Sequence, residues 1–542
     1  MPRNRLQQVA IAVLVVAAVN AFLFWIRTLG QPLIDAQSFR QTQTALTAFW
    51  LQPDLASILN YETPVLGAPW SVPFEFPLFQ LIVAALANTT GMDLSFCGRL
   101  VSLLFGLGSM AVVLALLSEY GFSRLTRILF ATLYLASSVY LYWNRAFMIE
   151  STALFFTLLS LFLAGRSLSA ADSTSRRSLA GFLPALGCGL SLILALLVKA
   201  TTAMPAFLLL ACLVLWRLVA SIRCRSRAQL TTCLMLLAGL LTAFLLLRGW
   251  THHADALKSL NPYGSRLTST ALQGWNFGRF EQRFSSDLWK GVVIKRLLTK
   301  AFWLPVVLLL LAGLWSLRRQ KLSAAIVVVS LVLWLMPMLI FTNLHIVHDY
   351  YQAANQVFLL VAIAASGASL IEQEPRPGAA RVSMVGLLRV FAAVVMIAYV
   401  AADGKRFDRI YRPQANQASD SKLVVSRFID RSVDKQSAIL VVGDDWYSSF
   451  AYLSRRRSLT IPEWFPSGPY SETGVLADPR SRIAPYKLGA VISRHELPLS
   501  SLAPICPSVS RPQLSDAGPW NVYLCSPATG VEPVRHPPDP QA

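Results

Sequence analysis

Long apolar runs, separated by short polar or basic connections, dominate the first four hundred residues of the chain. A helix needs roughly 17–25 predominantly apolar residues to cross about 30 Å of hydrocarbon. Runs of that kind lie at about residues 8–26, 100–118, 128–143, 147–165, 180–198, 203–219, 229–248, 301–317, 323–342, 352–371 and 384–402. They predict about eleven transmembrane helices. The first reads as an uncleaved span, because bulky Phe22-Leu23-Phe24-Trp25 ends it and no small-residue cleavage site follows. A further apolar stretch at 76–87 is short and opens with Pro77, which predicts an interfacial or re-entrant helix in the first outer loop.

Composition agrees. Apolar residues make up 55% of the 542 and charged residues 14%, against about 25% charged in soluble domains. So few charges could not cover the core of a soluble enzyme, and they exclude a disordered chain or a coiled coil. The net charge of +20 raises nucleic acid as a partner, but the basic residues sit in clusters between apolar runs, where membrane orientation is set. No nucleic acid is expected.

With 76–87 left out of the crossings, Arg3, Arg5, Arg124, Arg127, Arg166, Arg176, Arg177, Arg223, Arg225, Arg227, Arg318, Arg319, Lys321, Arg376 and Arg381 share one face. The connections around Arg145, Lys199 and His348 on the other face are nearly bare of Lys and Arg. The positive-inside rule then gives a cytoplasmic N-terminus and an extracytoplasmic C-terminus. The expected organisation is a transmembrane domain over 1–402, with outer loops at 27–99 and 249–300, followed by an extracytoplasmic domain over 403–542. In the tail, strands are expected at 437–442 and 488–493 and a helix at 448–454, making a small α/β domain. Cys506 and Cys525 fall there, and an oxidising compartment favours a disulfide over two buried thiols.

Chemistry-bearing residues gather at the outer helix ends. Asp35 and Arg40 lie just beyond the first span, ahead of an amphipathic helix over 42–50. Glu150 starts an apolar helix, where a carboxylate costs about 2.5–3.5 kcal/mol unless paired or facing water. An Arg145–Glu150 clamp between helices would satisfy it; so would a ligand. Lys199, at the end of the fifth run, reads either as a lysine lifting its ammonium to the interface or as a contact for an anion. His345, His348 and Asp349 precede Tyr350 and Tyr351; an aromatic belt explains the tyrosines but not two His and an Asp. Glu62 and Glu75 complete the set. Carboxylates, imidazole and cations on one face suit a Mg²⁺ or Mn²⁺ ion together with phosphate, although no fixed-spacing metal motif occurs.

The order of these motifs resembles the GT-C glycosyltransferases that use polyprenyl-phosphate sugars, in particular the bacterial protein-mannosyltransferase-like and lipid A aminoarabinose transferase-like group. The resemblance rests on Asp35 followed by Arg40-Gln41, Glu75-Phe76-Pro77-Leu78, Arg145 five residues before Glu150, Lys199, and His348-Asp349-Tyr350-Tyr351. It implies a GT-C-like, all-α polytopic fold with a small C-terminal α/β domain. It implies transfer of a sugar, with inversion, from a polyprenyl phosphate to an acceptor hydroxyl at the outer face of a bacterial inner membrane. Asp35 would be the catalytic base. Arg40, Arg145, Lys199, His348 and Tyr350 would bind the donor phosphate, and Glu75, Glu150 and Asp349 would hold a metal or orient the acceptor, whether lipid, glycan or protein. Two departures stand out. Many relatives carry adjacent acids where this chain has Asp35-Ala36, and the aminoarabinose transferases carry Lys-Pro-Pro where it has Glu75-Phe76-Pro77. A transporter or flippase, and a noncatalytic assembly protein, are the rival readings. A transporter would place its polar groups and broken helices near the bilayer midplane, often in repeated halves.

Overall fold

Among the described residues, seven helices are long and apolar enough to cross a membrane: Arg5–Thr28, Leu94–Glu119, Glu150–Ala171, Gly181–Arg223, Arg227–Ser259, Lys321–Ile340 and Met384–Ala415. The computed structural model describes residues 3–172, 178–373, 382–506 and 508–525. Arg176, Arg177, Arg376 and Arg381 of the charge argument lie outside them. The chain is a multi-pass membrane protein, mostly helical, with one small sheet near its C-terminus.

Helix length gives seven spans where the apolar runs give eleven, and the difference has local causes. The run at 128–143 is broken at Ser137 into Arg124–Ala136 and Ser138–Trp143. Buried Asp403 accepts from the Ser138 N–H at 2.7 Å and from its hydroxyl at 2.6 Å, occupying a donor that the break releases. The runs at 301–317 and 352–371 fall on shorter apolar helices, Trp303–Leu317 and Gln356–Ile371. The helix over 76–87, Leu78–Thr90, has 13 residues and rises about 20 Å, short of the hydrocarbon thickness.

Two further runs share the continuous stretch Ser178–Arg223, which is interrupted at Lys199 by φ −160° and ψ 95°. Leu163 packs on Gly187 of the first half, while neighbouring Ala164 lines one apolar groove with Leu209, Leu210 and Leu213 of the second half. A straight helix would separate Gly187 and Leu210 by about 35 Å. The chain therefore turns back at Lys199, and both halves lie along the helix Glu150–Asp172. The first half also meets the helix Arg227–Ser259 through Gly189 and Gly239, where a Cβ on Gly239 would stand 3.0 Å from the Gly189 Cα. Small residues allow helices to approach this closely.

Contacts divide the chain into two units: Met1–Gln31, Glu75–His253 and Ser269–Asn416 form the first, and Pro32–Phe74, Ala254–Thr268 and Gln417–Ala542 the second. The second unit carries strands β1 (Ala438–Val442), β2 (Ser458–Thr460), β3 (Leu488–Ser493) and β4 (Asn521–Leu524) in the order β2-β1-β3-β4. The first three are parallel and β4 is antiparallel, with Val441 opposite Thr460 and Ile492. β1 is apolar at every position and buried on both faces, as central parallel strands are. Helix Ser421–Ser432, N-capped by Asp420, packs Val425 and Ile429 on one face with Phe450 and Trp520.

Residues 64–67 join this sheet. The Ser458 N–H donates to the Pro64 carbonyl (3.0 Å), the Thr460 N–H to Val65 (2.9 Å), and the Gly67 N–H to Ser458 (3.1 Å). Gly67 has φ +74°, and a Cβ there would lie 2.7 Å from the Arg482 carbonyl oxygen, so only glycine fits. Asn261 donates to the carbonyls of Leu66 and Gly67, each at 3.2 Å. Cys506 and Cys525 form a disulfide.

Replacing Gly239 by Leu should push the two helices apart and cost about 1–3 kcal/mol. Thermal unfolding in detergent checks this; an unchanged melting temperature would contradict the close approach.

Candidate functional site

The reversal at Lys199 organises the polar residues of the first unit. Because the helix is interrupted there, the Leu197 carbonyl is open to another donor, and the Phe76 N–H fills it at 3.0 Å. That bond ties Glu75-Phe76 to the carbonyl two residues before Lys199. Lys199 is buried: it is 3% exposed and forms a salt bridge with Glu150, also 3% exposed. Its ammonium lies 5.1 Å from the Tyr350 ring centre and 4.5 Å from that of Tyr351. Aromatic faces and a carboxylate together hold a desolvated cation. The second Glu150 oxygen is buried without a hydrogen-bond partner among the described residues.

Glu150 thus pairs with Lys199, and the alternative of an Arg145–Glu150 clamp gives way to a partner 49 residues along. Arg145 is fully buried and sits over Tyr142 at 4.4 Å and Phe24 at 5.6 Å. Tyr142 stacks on Tyr411 at 4.8 Å, and the Tyr411 hydroxyl donates to Asp349 at 3.0 Å. Trp143 touches both Tyr411 and Tyr350, 5.9 and 6.0 Å between ring centres. His348 lies 5.2 Å from Tyr350. Arg145, Glu150, Lys199, His348, Asp349 and Tyr350 are therefore one connected cluster.

Arg296, Arg406 and Tyr411 were missed in the sequence. Arg296 donates to the carbonyls of His345 and Ile346, each at 3.0 Å, and Arg406 donates to the Arg296 carbonyl. Burial lowers the Arg296 pKa, and the charge of Asp349 opposes that shift. His345 is buried, and burial, helped by Arg296 and Lys199, pushes its imidazole down to about 3. It is neutral at physiological pH and supports the cluster without adding charge. A signal for these residues existed: Asp403 and Arg406 interrupt the end of an apolar run, and Arg296 lies in a basic segment between two apolar runs.

Asp35 and Arg40 belong to the second unit. Gln37, with φ 57°, starts the helix Ser38–Trp50. Asp35 is buried and accepts from the Gln41 amide at 2.7 Å, while Arg40 donates to Gln43 at 2.5 Å. The helix is fixed to the tail by a hydrogen bond of 2.9 Å shared by Thr42 and Ser448, and in the loop beyond it Glu62 accepts from Arg457 at 2.7 Å.

Among the described residues no three His, Cys, Asp or Glu side chains gather into one group. Glu150 instead takes an ammonium, and Asp349 a phenol.

The family model described as dolichyl-phosphate-mannose-protein mannosyltransferase matches residues 63–253. Apo ArnT from Cupriavidus metallidurans superposes with a TM-score of 0.57 at 13% identity, covering 96% of this chain and 98% of that one. ArnT bound to undecaprenyl phosphate gives 0.57 at 12% identity, covering 95% and 98%. The archaeal oligosaccharyltransferase AglB from Archaeoglobus fulgidus, in complex with an inhibitory peptide and a dolichol-phosphate, gives 0.51 at 11% identity, covering 89% of this chain and 69% of that one. No curated protein matches the chain at a significant level by sequence. At such identities the structural likeness speaks for the fold.

Removing one member of the buried pair leaves the other charge uncompensated, which costs about 3–5 kcal/mol. Glu150→Gln and Lys199→Met should each lower stability by about that much, and the double variant by less than their sum. A double-mutant cycle on thermal unfolding checks this; additive losses would contradict the pairing.

Proposed function

We propose that this chain is a membrane glycosyltransferase of the GT-C superfamily that moves a sugar from a polyprenyl phosphate to an acceptor hydroxyl. The observation that carries the proposal is the buried cluster of Lys199, Arg145 and their aromatic partners at helix ends. Two desolvated cations held on ring faces suit a phosphate whose lipid tail stays in the bilayer, because charge interactions strengthen where water is excluded.

In the reaction, the acceptor oxygen forms a bond to the anomeric carbon as the bond from that carbon to the phosphate oxygen breaks. A single displacement inverts the configuration. Asp35 removes the hydroxyl proton, and the Gln41 amide fixes the orientation of its carboxylate. Arg145, Lys199, His348 and Tyr350 stabilise the charge growing on the departing phosphate, with Arg40 a further donor. Glu75, Glu150 and Asp349 position these groups and the acceptor. Phosphate leaves without protonation, so no general acid is required. No step is routed through a metal.

The proposed placement is a bacterial inner membrane, with the N-terminus cytoplasmic and residues 403–542 extracytoplasmic; the positions of the basic clusters support it. The transporter reading expects broken helices at the bilayer midplane. The interruption at Lys199 instead falls where the chain reverses between two antiparallel helices.

Purified protein incubated with labelled undecaprenyl-phosphate sugars should release undecaprenyl phosphate and label an acceptor. Asp35→Asn should lower that transfer by about 10²–10⁴-fold while melting and undecaprenyl-phosphate binding stay unchanged. An Asn variant with full activity would remove Asp35 from the mechanism, and failure with every sugar donor would overturn the transferase proposal.

A further inference from the structure

In the second unit, the chain leaves β1 for β2 on one side and returns to β3 on the other. Where connections diverge like this, a parallel sheet opens a crevice at the carboxyl ends of its strands. Three loops reach that edge: Gly443-Asp444-Asp445-Trp446-Tyr447 after β1, Ile461-Pro462-Glu463-Trp464 after β2, and Arg494 after β3. They are tied together. The Glu463 N–H donates to the Asp445 carboxylate at 3.2 Å, and Lys422 donates to both oxygens of Asp444 at 2.6 and 2.9 Å. Asp445 has φ 47°, a left-handed conformation that a non-glycine residue keeps only when its surroundings impose it. Burial raises the pKa of Asp445, opposed by its bond from the Glu463 backbone.

Aromatic rings crowd the same edge. The Trp446 ring centre lies 5.7 Å from Trp464, 6.1 Å from Phe39 and 6.2 Å from Phe74, and Phe39 lies 5.1 Å from Tyr447. The Ser448 hydroxyl donates to the Phe39 carbonyl at 2.8 Å, fixing that ring's backbone to the loop after β1. None of the five rings is buried: Tyr447 is exposed and the others are half-buried. The sheet has its own core, with Phe450 and Trp520 inside it, so these rings do not serve that core. Half-exposed rings edged by carboxylate acceptors match a ligand with flat C–H faces and many hydroxyl donors. Beside Trp446 and Trp464 the carboxylates of Asp445 and Glu463 oppose a phosphorylated one; the cations of this edge lie over the other rings, Arg40 and Lys258 at 5.9 and 5.6 Å from Phe74 and Lys422 at 4.7 Å from Tyr447.

We propose that this edge binds a neutral oligosaccharide, with Trp464 and Trp446 stacking on one pyranose ring while Asp445 and Glu463 accept from its hydroxyls. Resting on the transferase reading, the oligosaccharide is the acceptor; the binding itself does not depend on that reading.

The test uses full-length protein in detergent on an array of neutral gluco-, manno- and galacto-configured tetrasaccharides, their phosphorylated counterparts and proline-rich peptides. The best neutral binder is then titrated by tryptophan fluorescence. At least one neutral tetrasaccharide should bind. Trp464→Ala should weaken it by about tenfold, and Glu463→Gln should weaken it measurably. Trp464→Phe should retain most of the affinity, and undecaprenyl-phosphate binding should be unchanged in all three. No neutral binder, binding confined to phosphorylated sugars or peptides, or wild-type affinity in both the Ala and Gln variants would overturn the proposal. Binding without sugar transfer would sink the transferase reading alone, and transfer without saccharide binding would sink this one alone.

Discussion

Lysine and glutamate can both leave water at a helix end only if each neutralises the other and other groups share the load. Lys199 and Glu150 meet that condition across 49 residues of sequence. Their pairing requires the chain to turn back at Lys199, so that the first half of the stretch brings the lysine to the start of the helix Glu150–Asp172. The turn opens the Leu197 carbonyl, which holds Phe76 and with it Glu75. It also places the ammonium against Tyr350 and Tyr351. From those rings, contacts run through Trp143 to Tyr411, Asp349, Tyr142 and Arg145. One ion pair thus decides where most of the polar cluster lies.

Element positions were legible where the signal is local. The strand read at 437–442 is Ala438–Val442, the one at 488–493 is Leu488–Ser493, and the helix at 448–454 is Ser449–Leu453. Period and turn residues fix such elements without help from distant chain. The partner of Glu150 was not legible, because i to i+5 proximity pointed to Arg145 whereas the actual partner arrives through a helix reversal. Arg296 illustrates a different gap. It lies in a loop whose charges carry no orientation signal, and its role comes from two carbonyls at His345 and Ile346 that only folding presents.

The second unit shows the same limit at larger scale. Nothing in the composition of residues 32–74 announces that they extend a sheet formed four hundred residues later. Yet Pro64, Val65 and Gly67 bond to β2, and Gly67 is excluded from carrying a side chain by the Arg482 carbonyl. The helix holding Arg40, which Asp35 precedes, is anchored to Ser448 of the tail. Hydrogen bonds thus join residues 42 and 64–67 to the tail. Asp35, proposed as the base, and the aromatic edge after β1 therefore belong to one unit, in which Ser448 of the tail holds the Phe39 carbonyl.

The most direct measurement is a structure of the protein with undecaprenyl phosphate bound. The account predicts the phosphate within hydrogen-bond reach of Lys199 or Arg145, at roughly 2.7–2.9 Å from a donor nitrogen, with the lipid tail along the apolar helices. A phosphate held elsewhere, with Lys199 still closed on Glu150 and Arg145 untouched, would contradict it.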